Sequence, residues 1–336
     1  MIGKYIFIVF FILIAVPSRI LAETTIHDPA IAKISDDIYI NNFRAAIESS
    51  QNIIDREPGN PLGYFLLGAI YQTVSEEYRN DSFKDDIDSN LEMAIDLCDK
   101  RLDKDPDNAG YYFISGAAYG YLGLHRAFHG NWWTAFRDGL KCNSNLKIAL
   151  ELDSTFYDAY WGLGAYYYYR TLKAKDFIWL PFITDDREKG MSMIRRAIDS
   201  GFLANELARP SFLRIYTFEN RYDEVITLAD SLLESDPDDP YYLLYYIEAL
   251  LALGKTDEAE EAILDLKVAW KESSYFDPDG ALESELLYAR LALARGDGDT
   301  FKKIIDYLIS QKSRADENAY FAETYKKVKE IKDRNR

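Results

Sequence analysis

Tyr64-Phe-Leu-Leu-Gly-Ala-Ile-Tyr71, Tyr112-Phe-Ile-Ser-Gly-Ala-Ala-Tyr119 and Tyr160-Trp-Gly-Leu-Gly-Ala-Tyr-Tyr167 align without gaps, each beginning 48 residues after the one before. The shared positions are an initial Tyr, then an aromatic, then Gly-Ala at the fifth and sixth places, then a closing Tyr. Recurrence at i, i+4 and i+7 is the period of one helix face. Upstream of each segment lies a helix stop: Arg56-Glu-Pro-Gly-Asn60, Asp103-Lys-Asp-Pro-Asp-Asn108 and Glu151-Leu-Asp-Ser-Thr155. Asp-Pro-Asp ends one helix and offers a cap to the next. Gly and Ala let two helix backbones approach, while Tyr and Leu fill the space on either side. One such hairpin cannot shield its own apolar face, so several copies must stack.

The pattern resembles the tetratricopeptide repeat (TPR) family. Tyr64, Leu67, Gly68 and Tyr71 match the first helix of its motif, and Ala94, Cys98, Leu102 and Pro106 suit the second. Tyr112, Gly116, Tyr119, Cys142 and Ala149 take the corresponding places in the next unit, with Ser154 in place of Pro. Tyr160, Leu163, Gly164, Tyr167, Gly190 and Ala197 do so in the third, while Ala46 and Pro58 close a weaker opening unit. Later units approach the usual length of about 34 residues. Among them, Leu253-Gly-Lys-Thr-Asp-Glu-Ala-Glu-Glu-Ala262 is a TPR-like turn into a second helix. Glu317 to Lys332 puts Phe321, Tyr325, Val328 and Ile331 on one stripe, as a terminal capping helix needs.

The resemblance implies an all-α fold: a right-handed superhelix of about seven antiparallel hairpins with a C-terminal cap. Long units would occupy about 61–204, shorter units about 205–315, and the cap 317–332. The long units carry about 14 residues beyond the family length. These fall at Ser75 to Ser89, Leu122 to Asp138 and Tyr169 to Glu188, and either lengthen the helices or form inserts on one edge.

Met1 to Ala22 reads as a secretory signal: Lys4 supplies the positive start, Tyr5 to Val16 the apolar run, and Ala22 the small residue before the cut. Twelve apolar residues reach only ~18 Å, against a ~30 Å hydrocarbon core. Residues 23–336 then form the mature repeat domain, in the periplasm or outside the cell. Losing Lys4 and Arg19 moves the net charge from -17 to -19. Such an acidic chain lacks the basic face that nucleic-acid binding needs. Two Cys exclude a disulfide-rich scaffold. In an oxidising compartment Cys98 and Cys142 either pair or serve as small buried apolar residues.

Tyr, Phe and Trp number 26, 18 and 5, and many lie between Tyr111 and Phe182, including Phe177-Ile-Trp-Leu-Pro-Phe182. Four consecutive tyrosines, Tyr166 to Tyr169, point about 100° apart on a helix and cannot share one face. In TPR proteins the position after the first aromatic faces the concave groove. Here it holds Phe65, Phe113 and Trp161, with Ala69, Ala117 and Ala165 one turn on. These three, with Tyr168, are the candidate partner contacts, and Trp132-Trp133 is a candidate docking edge. His125 and His129 stand one helical turn apart, but Arg126 occupies the place where a zinc hydrolase carries its acid, so no metal and no cofactor is assigned. No phosphate loop or nucleophile elbow is found.

The reading is a non-catalytic scaffold that holds a protein or peptide partner in its groove. One alternative is a carbohydrate-active α/α ring, or a sugar-binding protein, with the aromatics as platforms. Another is a structural part of an envelope complex. Mass spectrometry of the exported protein should give a chain starting at Glu23; a chain retaining Met1 refutes the cleavage.

Overall fold

The computed structural model describes residues 25–174, 184–278 and 282–334. All regular elements among these residues are helical. They run α1 (Pro29–Tyr39), α2 (Phe43–Arg56), α3 (Pro61–Tyr78), α4 (Lys84–Leu102), α5 (Ala109–Phe128), α6 (Trp132–Leu152), α7 (Ala159–Ala174) and α8 (Arg187–Ser200). A short α9 (Ala204–Leu207) leads to α10 (Ser211–Phe218), α11 (Tyr222–Leu233), α12 (Pro240–Ala252), α13 (Thr256–Glu272), α14 (Leu282–Ala294), α15 (Gly298–Ser310) and α16 (Ala319–Arg334). Apart from α9 and the terminal α16, consecutive helices pair as hairpins, and first helices also pack on first helices of neighbouring pairs, as α3 does on α5 and α10 on α12. The result is the expected all-α solenoid. Residues 1–24 and the Phe177 to Phe182 run lie outside the described residues.

Local signals start the helices where the sequence places them. Asn60 accepts the Leu62 amide, with Pro61 at the first helical position. Asn108 caps α5 through the Tyr111 amide, and Asp239 caps α12 through the Tyr242 amide with Pro240 behind it. Each cap satisfies an amide that has no partner inside its helix.

The three repeated glycines mark equivalent crossings. A methyl group on Gly68 would lie 2.6 Å from Leu91 Cγ, and one on Gly116 2.8 Å from Leu146 Cγ. On Gly164 it would lie 2.5 Å from the Gly190 carbonyl oxygen, a backbone atom that no rotamer change can move. These contacts hold first helix against second in each long unit.

The extra residues of the first two long units lengthen helices and do not form inserts. Helices α3 to α6 have 18, 19, 20 and 21 residues, whereas α10, α11 and α12 have 8, 12 and 13. Between α3 and α4 only residues 79–83 intervene, and between α5 and α6 only 129–131. At 1.5 Å per residue α3 is ~27 Å long. Its far end therefore passes the hairpin crossing and meets the C-terminal pairs. Trp270 Nε1–H donates to the Glu77 carbonyl at 2.8 Å, Asn80 to the Tyr275 carbonyl at 2.7 Å, and Asn318 to the Arg79 carbonyl at 3.1 Å. Helix α3 also packs directly on α12. The array closes on itself along this seam.

The four consecutive tyrosines each find a different neighbour. Tyr166 lies against Gly139 of α6, and Tyr167 under Lys189 of α8 at 3.8 Å. Tyr168 is fully buried and donates to the Ile215 carbonyl, and Tyr169 meets Phe218 edge-on. Cys98 and Cys142 are buried and not joined to each other; burial pushes the Cys142 thiol up to about 12 and keeps it protonated.

Gly164→Ala should lower unfolding stability by roughly 1–3 kcal/mol in urea denaturation, and by more than Gly68→Ala, where a side chain can shift. Equal losses would show that the Gly190 carbonyl yields.

Candidate functional site

Closure gathers polar groups from helices far apart in sequence onto one inner cleft. Glu76 and Arg79 come from the end of α3, Tyr121 from α5, and Tyr169 from α7. Arg214 stands on α10, Tyr241 and Tyr245 on α12, Glu283 on α14, and Tyr320 and Lys327 on α16. Arg214 Nη2 meets Glu76 Oε2 at 2.7 Å, and its Nε–H donates to the Tyr245 hydroxyl at 2.8 Å. The guanidinium also lies over the Tyr241 ring, 5.7 Å from its centre. Arg79 pairs with Glu283, whose other oxygen faces Lys327 Nζ at 3.7 Å, and it lies over the Tyr320 ring. The Arg214 and Glu76 side chains keep 26% and 29% of their surface, so solvent reaches them.

The protonation states follow from this packing. Burial pushes the Glu76 carboxyl up, but the Arg214 guanidinium outweighs it and holds Glu76 below its ordinary value. Glu283 is likewise held low by Arg79 and Lys327 against its burial. Burial, with the Glu76 charge added, pushes the Tyr121 phenol up to about 12; burial dominates at Tyr169, also raised to about 12. Tyr241 and Tyr320 are raised in the same direction for the same first reason. The cleft thus presents fixed ion pairs and neutral phenols, which can donate and accept hydrogen bonds.

The sequence-expected contacts are placed differently from one another. Phe65 packs edge-on against Phe113 and Tyr121, and Phe113 against Phe156. Phe65 and Phe113 are 6% exposed and Tyr168 is fully buried, so in the closed array these three are packing side chains with almost no free surface. They lie between neighbouring helices because the next pair along the chain covers each of them, through Tyr121, Phe156 and Ile215. Trp161 is half-buried, its indole N–H donating to Ser211 Oγ at 3.0 Å. Trp132 and Trp133 stand at the start of α6 with 55% and 74% of their surface exposed, beside exposed Phe136 and Leu140. Among the described residues no group of His, Cys, Asp and Glu is arranged to hold a metal. His129 instead bonds Asp81 Oδ1 at 2.8 Å and the His125 carbonyl at 2.9 Å.

Sequence reasoning missed Glu76, Arg79, Arg214, Tyr241, Tyr245 and Tyr320. The usable signal was the surplus length of the long units, since the ends of lengthened helices must meet something. Nothing local marks Arg214 as its ion-pair partner, 138 residues from Glu76.

The tetratricopeptide repeat family model matches residues 219–269, which run from the end of α10 into α13. A tetratricopeptide repeat protein from Parabacteroides merdae is similar over 89% of this chain and 95% of its own, at 15% identity and a TM-score of 0.43. A thermophilic TPR protein in Thermus thermophilus is similar over 66% of this chain and 97% of its own, at 16% identity and a TM-score of 0.41. A search of curated proteins returns no match.

A double-mutant cycle tests the central pair. Glu76→Gln and Arg214→Gln should each destabilise, and the double variant should lose about 1–2 kcal/mol less than their sum. Strict additivity would mean that the pair contributes no coupling.

Proposed function

We propose that this chain is an exported, non-catalytic interaction scaffold that holds a protein or peptide segment against its inner face. The observation that carries the reading is the convergence of phenols and guanidiniums from separate hairpins on one solvent-reached cleft. Tyr and Arg are the residue types that dominate binding at protein interfaces, and phenols pair with a peptide backbone in either direction. Stacked repeats lend themselves to this use, because each hairpin adds one helix to a continuous inner surface. Trp161 supplies an indole with free surface, while Phe65, Phe113 and Tyr168 support that face from beneath. The N-terminal apolar segment supports export. No helix among the described residues is long and apolar enough to cross a membrane.

A carbohydrate-active ring would bring the ends of the array together, and they do meet here. The cleft chemistry favours the scaffold all the same. Guanidiniums hold both cleft carboxyls, Glu76 and Glu283, ionised, and the carboxyls that are raised, Glu77 and Asp239, are buried, whereas a glycosidase needs a protonated general acid that substrate can reach. A second reading rests on Trp132, Trp133, Phe136 and Leu140: a contiguous exposed apolar patch on α6 suits docking in an envelope complex.

Capture from an envelope fraction, read by mass spectrometry, separates the two. A partner held by the cleft should be lost about 30-fold with Arg214→Gln and Tyr241→Phe combined, at unchanged circular dichroism. It should persist with Trp132→Ala and Trp133→Ala. The reverse pattern rejects the inner face and moves the partner to the α6 edge.

A further inference from the structure

The seam that closes the array contains two groups of side chains in each of which one polar contact is unmet without an added proton. At the first, Glu77 of α3 feels the charges of Asp239 and Asp236 at the turn into α12. Glu77 is 7% exposed and Asp239 2% exposed, and Glu77 Oε2 has no hydrogen-bond partner. Asn41, in the turn between α1 and α2, donates to Asp236 Oδ2 at 3.1 Å and Asp239 Oδ2 at 3.2 Å. That amide links the two aspartates, and Asp239 Oδ1 also accepts the Tyr242 amide at 2.9 Å, while neither donor reaches Glu77 Oε2. Arg79 is the cation that faces Glu77, and it is already engaged by Glu283. The other groups facing the cluster are Glu76 and Tyr78 on α3, Tyr39 on α1, Asp238 in the turn and Tyr242 on α12. None of these is positive. Two buried carboxyls, with half-buried Asp236 beside them and no cation of their own, do not all stay ionised.

At the second, His129 lies between two acceptors. Its Nδ1 faces the His125 carbonyl at 2.9 Å, which requires a hydrogen on Nδ1. Its Nε2 faces Asp81 Oδ1 at 2.8 Å, which a neutral ring with Nδ1–H meets with a lone pair. Both contacts are satisfied only by the imidazolium. Asp81 Oδ2 in turn accepts the Ala319 amide at the start of α16, so this contact ties α5 to the terminal helix. Lys84 and the His125 ring, 4.4 Å centre to centre, also face His129.

We propose that the closed array is held by a proton-dependent latch: carboxyl protonation at Glu77–Asp236–Asp239 and imidazolium formation at His129 fasten α3 and α5 to the C-terminal pairs, and proton loss releases them. The latch stands on the seam alone. That its release takes the cleft apart, and so frees a segment held there, rests on the inner-face reading above.

The signs agree at both places. Burial, with Asp236 nearby, pushes Asp239 up to about 7, and burial pushes Glu77 up as well. A carboxyl raised in the closed form binds a proton that the open form loses, so closure weakens as pH rises through about 7. Burial opposes charge on His129, but Asp81 and the His125 carbonyl outweigh it and raise the imidazole above its ordinary value. Its contribution is likewise present at mildly acidic pH and lost as pH rises. Burial lowers His125 to about 4, so it stays neutral across this range. Glu76 and Glu283, held low by their guanidiniums, favour closure above their own titration and set the acid limit.

Hydrogen exchange on the full mature chain reads the latch. The Asp277 amide donates to the Tyr78 carbonyl and the Ala319 amide to Asp81, both across the seam. After correction for intrinsic exchange, these segments should be at least tenfold better protected at pH 5.5 than at pH 8.5, while the α5–α6 hairpin core changes little. Small-angle scattering should show a larger radius of gyration at pH 8.5. Combining Glu77→Gln with Asp239→Asn, which keeps a capping side chain, should remove most of the difference by holding the first cluster closed at pH 8.5. If that pair does not fold, Asp239→Asn alone reads the same titration. Equal protection at both pH values in the unaltered chain overturns the latch, as does an undiminished pH dependence in the folded variant. Partner capture that fails in the Arg214 variant bears on the inner-face reading and leaves these protection values unaffected.

Discussion

A helix of 18 residues has to end somewhere, and in this protein the end of α3 lies against the opposite end of the chain. That contact organises the molecule. The close glycine crossings pin α3 to α4 and α5 to α6 near mid-length, so the surplus turns project past the hairpin as rigid rods. Rigid rods cannot fold back to hide their tips, and a projecting last turn carries unsatisfied carbonyls. Those of α3 and the turn after it are met by the Trp270 indole, the Asp277 amide and the Asn318 side chain. Aromatics complete the junction: Phe43, Tyr78 and Tyr275 meet edge to face or tilted at about 6 Å, and Trp270 stacks on Phe276.

Closing a solenoid has an electrostatic consequence. The inner surface of an acidic chain brings carboxylates together, and each must be answered by a cation, a proton or water. The cleft uses guanidiniums: Arg214 for Glu76 and Arg79 for Glu283. The junction near Asn41 has an amide and no cation of its own, and the difference separates carboxyls held low from carboxyls raised. Paired charges give orientation and specificity more readily than net stability. A ring of neutral phenols around them adds donors and acceptors without further charge.

Much of the architecture was legible in the chain. The 48-residue recurrence of Tyr, Gly-Ala and Tyr gave the hairpins, and the Pro- and Asp-bearing turns gave the helix stops between them, because these effects act over a few residues. Phe65, Phe113 and Tyr168 were expected to contact a partner, and what covers them was not legible. Their burial depends on Tyr121, Phe156 and Ile215, whose positions follow from how successive pairs lean on one another. The excess of tyrosine was visible as an anomaly, and its resolution, four neighbours for four consecutive rings, required every adjacent helix in place.

The sequence by itself determined the helices, their pairing and the glycine crossings, since periodicity, capping and steric fit are local properties of the chain. Only the tertiary structure decided that the extra residues become helix length, that the array closes, and that Glu76 finds Arg214. Small rotations between successive hairpins accumulate along a solenoid, and their sum fixes which distant residues meet. No window of sequence contains that sum.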